Sequence, residues 1–265
     1  MKKLLIVLVM VLLASFSFAG DWSDGVYFAD EDSFGSSGWK YHVVVTVKNG
    51  KISKAIWNGT NINGGSDKIT ASKAGKYGMV KNGGAQDPWY VQAEKVQKYL
   101  LKTQDPKKIT YKDDQGHTDA IAGASIHVIE FFTLADKALS SAPVKKGPYK
   151  DGFPMAEEAS FSKSSGWKYF AQFTVVNGTV VQVNWNGTYK NGGDSKKIVS
   201  KNGDYGMKKN GGSISEWHVQ GALAEKYFLE NQGKAPKSSD NYHTDAITGA
   251  TMGVMPLWTL ADKAL

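Results

Sequence analysis

Two stretches of the chain carry the apolar patterning typical of β-hairpins. Residues 39–47 are rich in β-branched and aromatic side chains, Asn49-Gly50 follows them, and a second apolar run covers residues 52–57. An Asn-Gly pair between two such runs predicts a type I′ turn. Asn177-Gly178 repeats the arrangement further along the chain. We therefore predict one hairpin in each half.

The later part of each half has helical periodicity. Asp87-Pro88 offers an N-cap and a first helical position, and the apolar residues that follow share one helical face: Trp89, Ala93, Val96 and Leu100. A last helix is predicted from about Gly123 to Leu139, with the inward side chains Val128, Phe131, Phe132 and Ala135. Strands followed by helices predict an α+β fold with an antiparallel sheet.

These patterns occur twice because the sequence itself is repeated. Residues 36–41, Ser-Ser-Gly-Trp-Lys-Tyr, return unchanged at residues 164–169. His117-Thr118-Asp119 returns as His243-Thr244-Asp245, but at a spacing two residues shorter, which indicates a surface loop that tolerates a change of length. We predict two copies of one domain.

The repeat sets the predicted domain boundaries. The two copies cover residues 20–139 and 149–265, and a linker of residues 140–148 joins them. Two prolines and a glycine in that linker interrupt regular structure.

The first 19 residues resemble a secretory signal. Met1-Lys2-Lys3 is basic, residues 4–13 are almost purely aliphatic, and small residues stand at Ser17 and Ala19. A run of this length is too short for a stable membrane span. We expect cleavage after Ala19 and export to the periplasm or the cell surface, with an uncleaved N-terminal anchor as the alternative.

Composition narrows the function classes. The chain has no cysteine, so its domains depend on their hydrophobic cores rather than on disulfides. The formal net charge is +7, and all 32 basic residues other than histidine are lysine. Proteins that bind nucleic acid depend on arginine for bidentate contacts to bases and phosphates. We therefore expect no nucleic-acid partner.

The most specific motif is Asp245-Ala246-Ile247-Thr248-Gly249-Ala250-Thr251. It resembles the flavinylation motif of the FMN-binding domain family, in which an Asp precedes Ser/Thr-Gly-Ala-Thr. That family includes FMN-carrying subunits of the sodium-pumping NADH:quinone oxidoreductase and Rnf complexes, and exported tandem-domain electron carriers. The resemblance implies that the Thr251 hydroxyl is esterified to the phosphate of FMN, and that attachment requires Asp245.

The residue types suit this chemistry independently of the resemblance. Gly249 and Ala250 leave space for a transferase and a flavin beside the hydroxyl. We expect Thr248 or Gly249 to cap the last helix, which places Thr251 in the first turn, where a phosphate meets free N–H groups and the positive end of the helix dipole. A well-capped helix start without a flavin is the alternative explanation of Asp245 and Thr248.

The first copy departs from the motif. It reads Asp119-Ala120-Ile121-Ala122-Gly123-Ala124-Ser125, with Ala122 where the family has Ser or Thr and Ser125 in place of the final Thr. Serine can form the same ester, so flavin attachment at Ser125 is left open. The candidate residues in this copy are Asp119, Gly123, Ala124 and Ser125.

Several other residues are weaker candidates. An aromatic and a thioether flank a glycine in two equivalent tripeptides, which pack on a flavin ring or simply form a turn with core anchors: Tyr77, Gly78, Met79, Tyr205, Gly206 and Met207. Trp57 and Trp185 are predicted core residues. The histidines lack metal-ligand spacing, and we expect His117 and His243 to bond the loop backbone.

The sequence therefore favours an exported electron carrier rather than an enzyme, with covalent FMN as its cofactor. Its expected partners are an FMN transferase, a membrane electron donor and an extracytoplasmic electron acceptor, because no nicotinamide-binding motif is present. Two other functions remain open. One is a non-redox binding module or surface antigen with a vestigial motif, and the other is a flavin-dependent reductase with its own small substrate.

Overall fold

The computed structural model describes residues 22–238, 240 and 242–265. The predicted secretory signal, residues 1–19, lies outside the described residues. The described chain is a mixed α+β structure with two three-stranded antiparallel sheets, one in each half. Over these residues we find no helix with the length and apolar character needed to cross a membrane.

In the first half, three strands come before four helices. The strands pair in the order β1-β2-β3, and the elements are β1 (Gly25–Asp30), β2 (Trp39–Lys48), β3 (Lys51–Asn61), α1 (Lys68–Lys73), α2 (Met79–Gly83), α3 (Trp89–Thr103) and α4 (Ile129–Leu139). The second half repeats the order of strands and then helices. Its strands pair as β4-β5-β6, and the elements are β4 (Met155–Glu157), β5 (Trp167–Val176), β6 (Thr179–Tyr189), α5 (Lys196–Lys201), α6 (Trp217–Glu230) and α7 (Pro256–Ala264).

Both predicted hairpin turns are confirmed. Asn49 and Gly50 have φ values of 54° and 67°, and Asn177 and Gly178 have values of 52° and 74°. Two successive left-handed residues define the type I′ turn, whose twist matches that of the flanking strands. The antiparallel pairs β2–β3 and β5–β6 follow directly from these turns.

The core of each half lies between its sheet and its helices. Trp57 on β3 and Trp185 on β6 are buried, as predicted, and each contacts the tryptophan that begins the long helix, Trp89 or Trp217. The predicted inward positions of α3 and α4 are all buried: Trp89, Ala93, Val96, Leu100, Val128, Phe131, Phe132 and Ala135.

The predicted start of the last helix is wrong. Helix α4 begins at Ile129 rather than near Gly123, and α7 begins at Pro256 with Met255 at its N-cap. The reason is the backbone of the motif glycines, because Gly123 has φ of 74° and Gly249 has φ of 88°. A left-handed residue interrupts a right-handed helix. Neither Thr248 nor Gly249 caps α7.

The predicted cap of α3 is also corrected. Pro88 occupies the N-cap position, and no side chain caps the helix. The Asp87 carboxylate instead lies 2.6 Å from Lys95 Nζ. The ammonium group attracts the carboxylate away from the N–H groups of the first turn.

The two halves meet through polar side chains of the second sheet. Gln182 Oε1 accepts a hydrogen bond of 2.7 Å from the Thr60 hydroxyl. Asn184 donates to the carbonyl oxygen of Asn61 at 3.0 Å, and Asn186 donates to that of Ile62 at 2.8 Å. These three amide side chains are buried, so their hydrogen bonds fix the contact between the halves.

Candidate functional site

The motif threonine lies in a turn that precedes α7. Thr251 is exposed, and its backbone N–H donates to Gln220 Oε1 at 2.7 Å. The N–H of Met252 donates to the same oxygen at 3.0 Å. Gln220 belongs to α6 and is fully buried. A buried helix residue therefore holds both the backbone and the hydroxyl of Thr251, because Thr251 Oγ1 also donates to Gln220 Oε1 at 3.4 Å.

A second hydroxyl lies beside Thr251. Ser213 Oγ is 3.5 Å from Thr251 Oγ1, and Gln220 Nε2 donates to Ser213 Oγ at 2.8 Å. Gln220 therefore holds both the backbone of Thr251 and the Ser213 hydroxyl beside it.

The expected phosphate site at a helix N-terminus is contradicted. Thr251 lies five positions before the first residue of α7, Pro256, and not in its first turn. The N–H groups of Thr251 and Met252 are already hydrogen-bonded to Gln220. A phosphate on Thr251 cannot use them without displacing that glutamine.

The first half has the same construction around Ser125. The Ser125 N–H donates to Gln92 Oε1 at 2.7 Å, and its hydroxyl lies 3.2 Å from that oxygen. Gln92 belongs to α3 and is buried. Sequence reasoning missed Gln92 and Gln220. The available signal was a glutamine three residues after the repeated tryptophan, on an otherwise apolar helix face.

A cavity of about 270 Å³ opens beside Ser125. Three residues that were separate candidates in the sequence line it together: Ser125, Tyr77 and Met79. The remaining wall is mainly aromatic, and its residues are Tyr41, Trp89, His117, Ile126, His127 and Glu130. Aromatic walls with one hydroxyl at the edge suit a flat ring tethered from that edge.

The second half differs at the position equivalent to one side of this cavity. The Val128 N–H donates to the Gly116 carbonyl at 2.8 Å, and the Val254 N–H donates to the Tyr242 carbonyl at 3.0 Å, so Gly116 and Tyr242 are equivalent. The Tyr242 ring packs so closely on Gly253 that a Cβ there would overlap it. In addition to burial, Tyr242 helps to raise the pKa values of Tyr169 and Tyr205, the counterparts of Tyr41 and Tyr77. Tyr242 thus lies near the second-half counterpart of the cavity.

The other motif residues lie around these hydroxyls. Asp119 and Asp245 are exposed, and Asp119 Oδ1 is 3.5 Å from Lys112 Nζ. Thr248 is exposed, whereas Ala250 is buried. Neither aspartate contacts the hydroxyl of its own motif through a hydrogen bond among those the structure describes.

The side chains of the two loop histidines each contact an aspartate of their own loop. His117 Nδ1 is 2.7 Å from Asp113 Oδ2, and His243 Nδ1 is 2.7 Å from Asp240 Oδ2. The backbone N–H groups of both histidines donate to the same aspartates, which lowers the carboxyl pKa values, to about 2 for Asp240. Within the described ranges, no three His, Cys, Asp or Glu side chains form a metal-binding group.

Each half also buries one lysine inside a ring of aromatic side chains. Lys68 Nζ lies 3.9 Å from the centroid of Tyr77 and between 4.7 and 5.3 Å from those of Trp39, Tyr41 and Trp89. Lys196 lies between 4.5 and 5.4 Å from the equivalent rings of Trp167, Tyr169, Tyr205 and Trp217. Burial lowers the pKa of both ammonium groups to about 7. We call these two arrangements the lysine cages.

Comparisons with known proteins place two solved structures beside this chain. No protein-family model and no curated protein matches it. A protein from Clostridium thermocellum, solved by NMR in solution, is 57% identical over 44% of this chain and 88% of its own, with a TM-score of 0.36. A protein from Clostridium perfringens, solved by crystallography, is 19% identical over 44% of this chain and 86% of its own, with a TM-score of 0.35. The descriptions of both structures name only their organisms and no activity or ligand, so the function rests on the site itself.

Proposed function

We propose that this chain is an exported electron carrier that holds FMN covalently, with the phosphate of FMN esterified to Thr251. In this proposal each half is an FMN-binding domain, and Ser125 is a second attachment residue in the first half. The flavin supplies the redox chemistry. The protein binds, orients and shields it, and an FMN transferase attaches it.

The observation that carries the proposal is the position of Thr251. The motif Asp245-Ala246-Ile247-Thr248-Gly249-Ala250-Thr251 ends on an exposed threonine. Buried Gln220 accepts hydrogen bonds from both its backbone N–H and its hydroxyl and so holds it in place. Esterification needs a hydroxyl that the transferase can reach and that does not move during attachment. The exposed carboxylate of Asp245 is likewise accessible to the transferase.

The first half supports the proposal through its cavity. A volume of about 270 Å³ is near the lower end of ligand pockets, which span roughly 300–1,000 Å³. That space suits the flat ring of a flavin, whose chain then leads out to the Ser125 hydroxyl at the edge. The rings of Tyr41 and Tyr77 offer faces for stacking, and Met79 adds a polarisable contact.

The partners in this proposal are those that a flavin carrier without a nicotinamide-binding motif needs. The flavin receives electrons from a membrane donor and passes them to an extracytoplasmic acceptor. A phosphoester tether suits an exported carrier, because bound FMN is then not lost to a compartment that does not make it.

The test uses alanine variants at the two hydroxyl positions in a host that exports and flavinylates the protein. Thr251→Ala is expected to remove flavin from the peptide containing residue 251 and to leave the circular dichroism unchanged, since the side chain is exposed. Ser125→Ala is the matched control, with the same change at the equivalent position. If Thr251→Ala retains as much covalent flavin as the wild type on that peptide, the proposal is wrong.

A further inference from the structure

Burying the two lysine ammonium groups inside the lysine cages has a desolvation cost. Lys68 and Lys196 have almost no exposed surface. Within the described residues, Lys68 Nζ has no hydrogen-bond partner, whereas Lys196 Nζ lies 2.5 Å from the Tyr169 hydroxyl. Removing an ammonium group from water has a large free-energy cost, against which the aromatic faces act through cation–π contacts. The lowered pKa of both lysines shows that the charged form remains disfavoured. A methionine of similar size avoids that cost.

Both halves nevertheless keep the cage, although some positions elsewhere in their sheets differ. The four rings around Lys68 recur at equivalent positions around Lys196. On the opposite face of the sheets, by contrast, Val44 and Ile56 are replaced by Gln172 and Asn184. A costly group retained twice through such divergence indicates a functional rather than a stabilising role.

The cage and the cavity share their walls. Tyr41, Tyr77 and Trp89 surround Lys68 Nζ, and the same three residues line the cavity beside Ser125. A planar ring seated in the cavity therefore has the Lys68 ammonium directly behind its aromatic wall. Lys68 Nζ is 3.9 Å from the Tyr77 centroid, so at least one aromatic ring separates the ammonium from a charge in the cavity. The low dielectric of the interior preserves the interaction over that distance.

The groups around Lys68 set its charge near neutral pH. Burial favours the neutral amine, whereas the carboxylates of Glu31 and Glu130 favour the ammonium, and together they leave the pKa at about 7. The phenols of Tyr41 and Tyr77 stay neutral, because burial raises their pKa values above the usual value of 10.0. Around Lys196, the carboxylate is Glu158, and the phenols of Tyr169 and Tyr205 likewise have raised pKa values.

We propose that the cavity beside Ser125 binds a planar aromatic anion and that the caged Lys68 ammonium is its countercharge. In the proposed function that anion is the flavin ring, which carries one negative charge after it accepts two electrons from the membrane donor and one proton. To that extent the inference rests on the proposed function.

The test uses the full mature chain made without a transferase, so that no flavin occupies the cavity. The probe is 4-nitrophenol, a planar molecule whose phenolate forms near neutral pH, and 4-nitroanisole is its uncharged analogue. The wild type is expected to bind the phenolate best near pH 7, where the phenolate has formed and Lys68 is still partly charged. Lys68→Met is expected to lower the phenolate affinity about tenfold while leaving the 4-nitroanisole affinity unchanged.

Lys73→Met is the matched control. Lys73 is on the same helix but exposed, and its Nζ lies 5.4 Å from the centroid of Tyr90. This variant is expected to bind both probes as the wild type does. If Lys68→Met loses affinity equally for both probes, the lysine only supports the cavity wall. If its affinity for the phenolate is unchanged, the charge of Lys68 is not used. Either result overturns the inference, as does a wild type that binds neither probe.

A measurement on the wild type covers the case in which Lys68→Met does not fold. The ¹³Cε resonance of Lys68 reports its protonation, and saturating 4-nitrophenolate is expected to raise its pKa, since a bound anion favours the ammonium. A pKa that does not move on phenolate binding contradicts the inference. Because this experiment contains no flavin, its outcome is independent of whether Thr251 carries FMN, which is measured separately by mass.

Discussion

The two halves share the lysine cage and the core but differ beside the candidate attachment residue. The first half has Gly116 and His127 there, and its cavity is open next to Ser125. The second half has Tyr242 and Gly253 at the equivalent positions, and the tyrosine ring lies on the glycine. In each half one aromatic ring packs near the loop histidine, at 4.4 Å for His127 on His117 and at 5.4 Å for Tyr242 on His243.

This difference shows that two halves with the same order of strands and helices can differ in the space beside the candidate attachment residue. The ring that packs on the loop histidine comes from a different side of the motif in each half, because His127 follows Ser125 whereas Tyr242 precedes Asp245. The neighbours of the hydroxyls also differ, because Thr251 has Ser213 beside it whereas Ala85 occupies the equivalent position near Ser125. We infer that the two sites load and hold a flavin differently.

The largest expected effect comes from copying the second-half residue into the first half. Gly116→Tyr puts a side chain on a residue with φ of 83°, where a Cβ overlaps the side chain of Ile129. We expect a loss of about 3 kcal/mol from backbone strain and overpacking, measured by urea unfolding. The reverse change, Tyr242→Gly, is expected to cost only about 1 kcal/mol, because that ring is 48% exposed.

Gly75→Tyr is the control for backbone strain alone. Gly75 has φ of 70°, and the space that a Cβ would occupy there is open. If Gly116→Tyr costs no more than Gly75→Tyr, the packing of Ile129 does not prevent a tyrosine in the first half. The difference between the two cavities then needs another explanation.

The next prediction concerns His42, whose counterpart in the second half is Phe170. His42 is fully buried, and neither of its ring nitrogens has a hydrogen-bond partner among the described residues. Unsatisfied buried polar atoms cost about 1–3 kcal/mol, so His42→Phe is expected to stabilise the protein by about 1–2 kcal/mol. Urea unfolding at pH 7 measures it, with exposed His127→Phe as the control.

The pH dependence gives a second readout for the same variant. Burial lowers the pKa of His42 from 6.5 to about 3. The folded protein binds this proton less readily than the unfolded chain does. The part of the free energy of unfolding that depends on neutral His42 is therefore fully present above pH 6.5 and declines as the pH falls towards 3. His42→Phe should remove this part of the acid destabilisation. An unchanged slope between these pH values would show that His42 is not buried in the neutral form.

The smallest expected effect on stability comes from replacing Gln220 or Gln92, the two glutamines that bond the motif turns. Gln220→Leu leaves the N–H groups of Thr251 and Met252 without their acceptor, whereas Gln92→Leu leaves only that of Ser125. Because water reaches these turns, we expect a loss of only about 1 kcal/mol for Gln220→Leu and less for Gln92→Leu.

Amide hydrogen exchange provides the more sensitive measurement. Thr251 and Met252 are expected to exchange faster in Gln220→Leu, and Gln97→Leu on α3 serves as a control that removes a half-buried glutamine. Unchanged exchange at Thr251 would mean that Gln220 does not hold the motif.

The local parts of the fold were predictable from the sequence, and the long-range parts were not. Asn49-Gly50 specifies its turn through two adjacent residues, and Trp57 is recognisable as a core residue of an apolar strand. The start of α7 was predicted wrongly, because Gly249 takes a left-handed conformation and the Thr251 N–H is bonded by Gln220, 31 residues earlier.

The lysine cages were missed for a related reason. A lysine at the start of a helix resembles a solvated surface residue, and only the tertiary structure brings rings from one strand, a loop and another helix around Lys68. The internal repeat contained a usable signal. Lys68 and Lys196 stand at the same repeat position, and the four aromatic residues of each cage are repeated as well.

The most direct test of the central claim is the mass of the denatured protein isolated from a host that exports and flavinylates it. A covalent flavin survives denaturation, and each ester adds the mass of FMN less one water. We predict a chain that carries at least one FMN, with the modification on the peptide that contains Thr251 and a second modification where Ser125 is also loaded. A protein that shows only the mass of the unmodified mature chain contradicts the account.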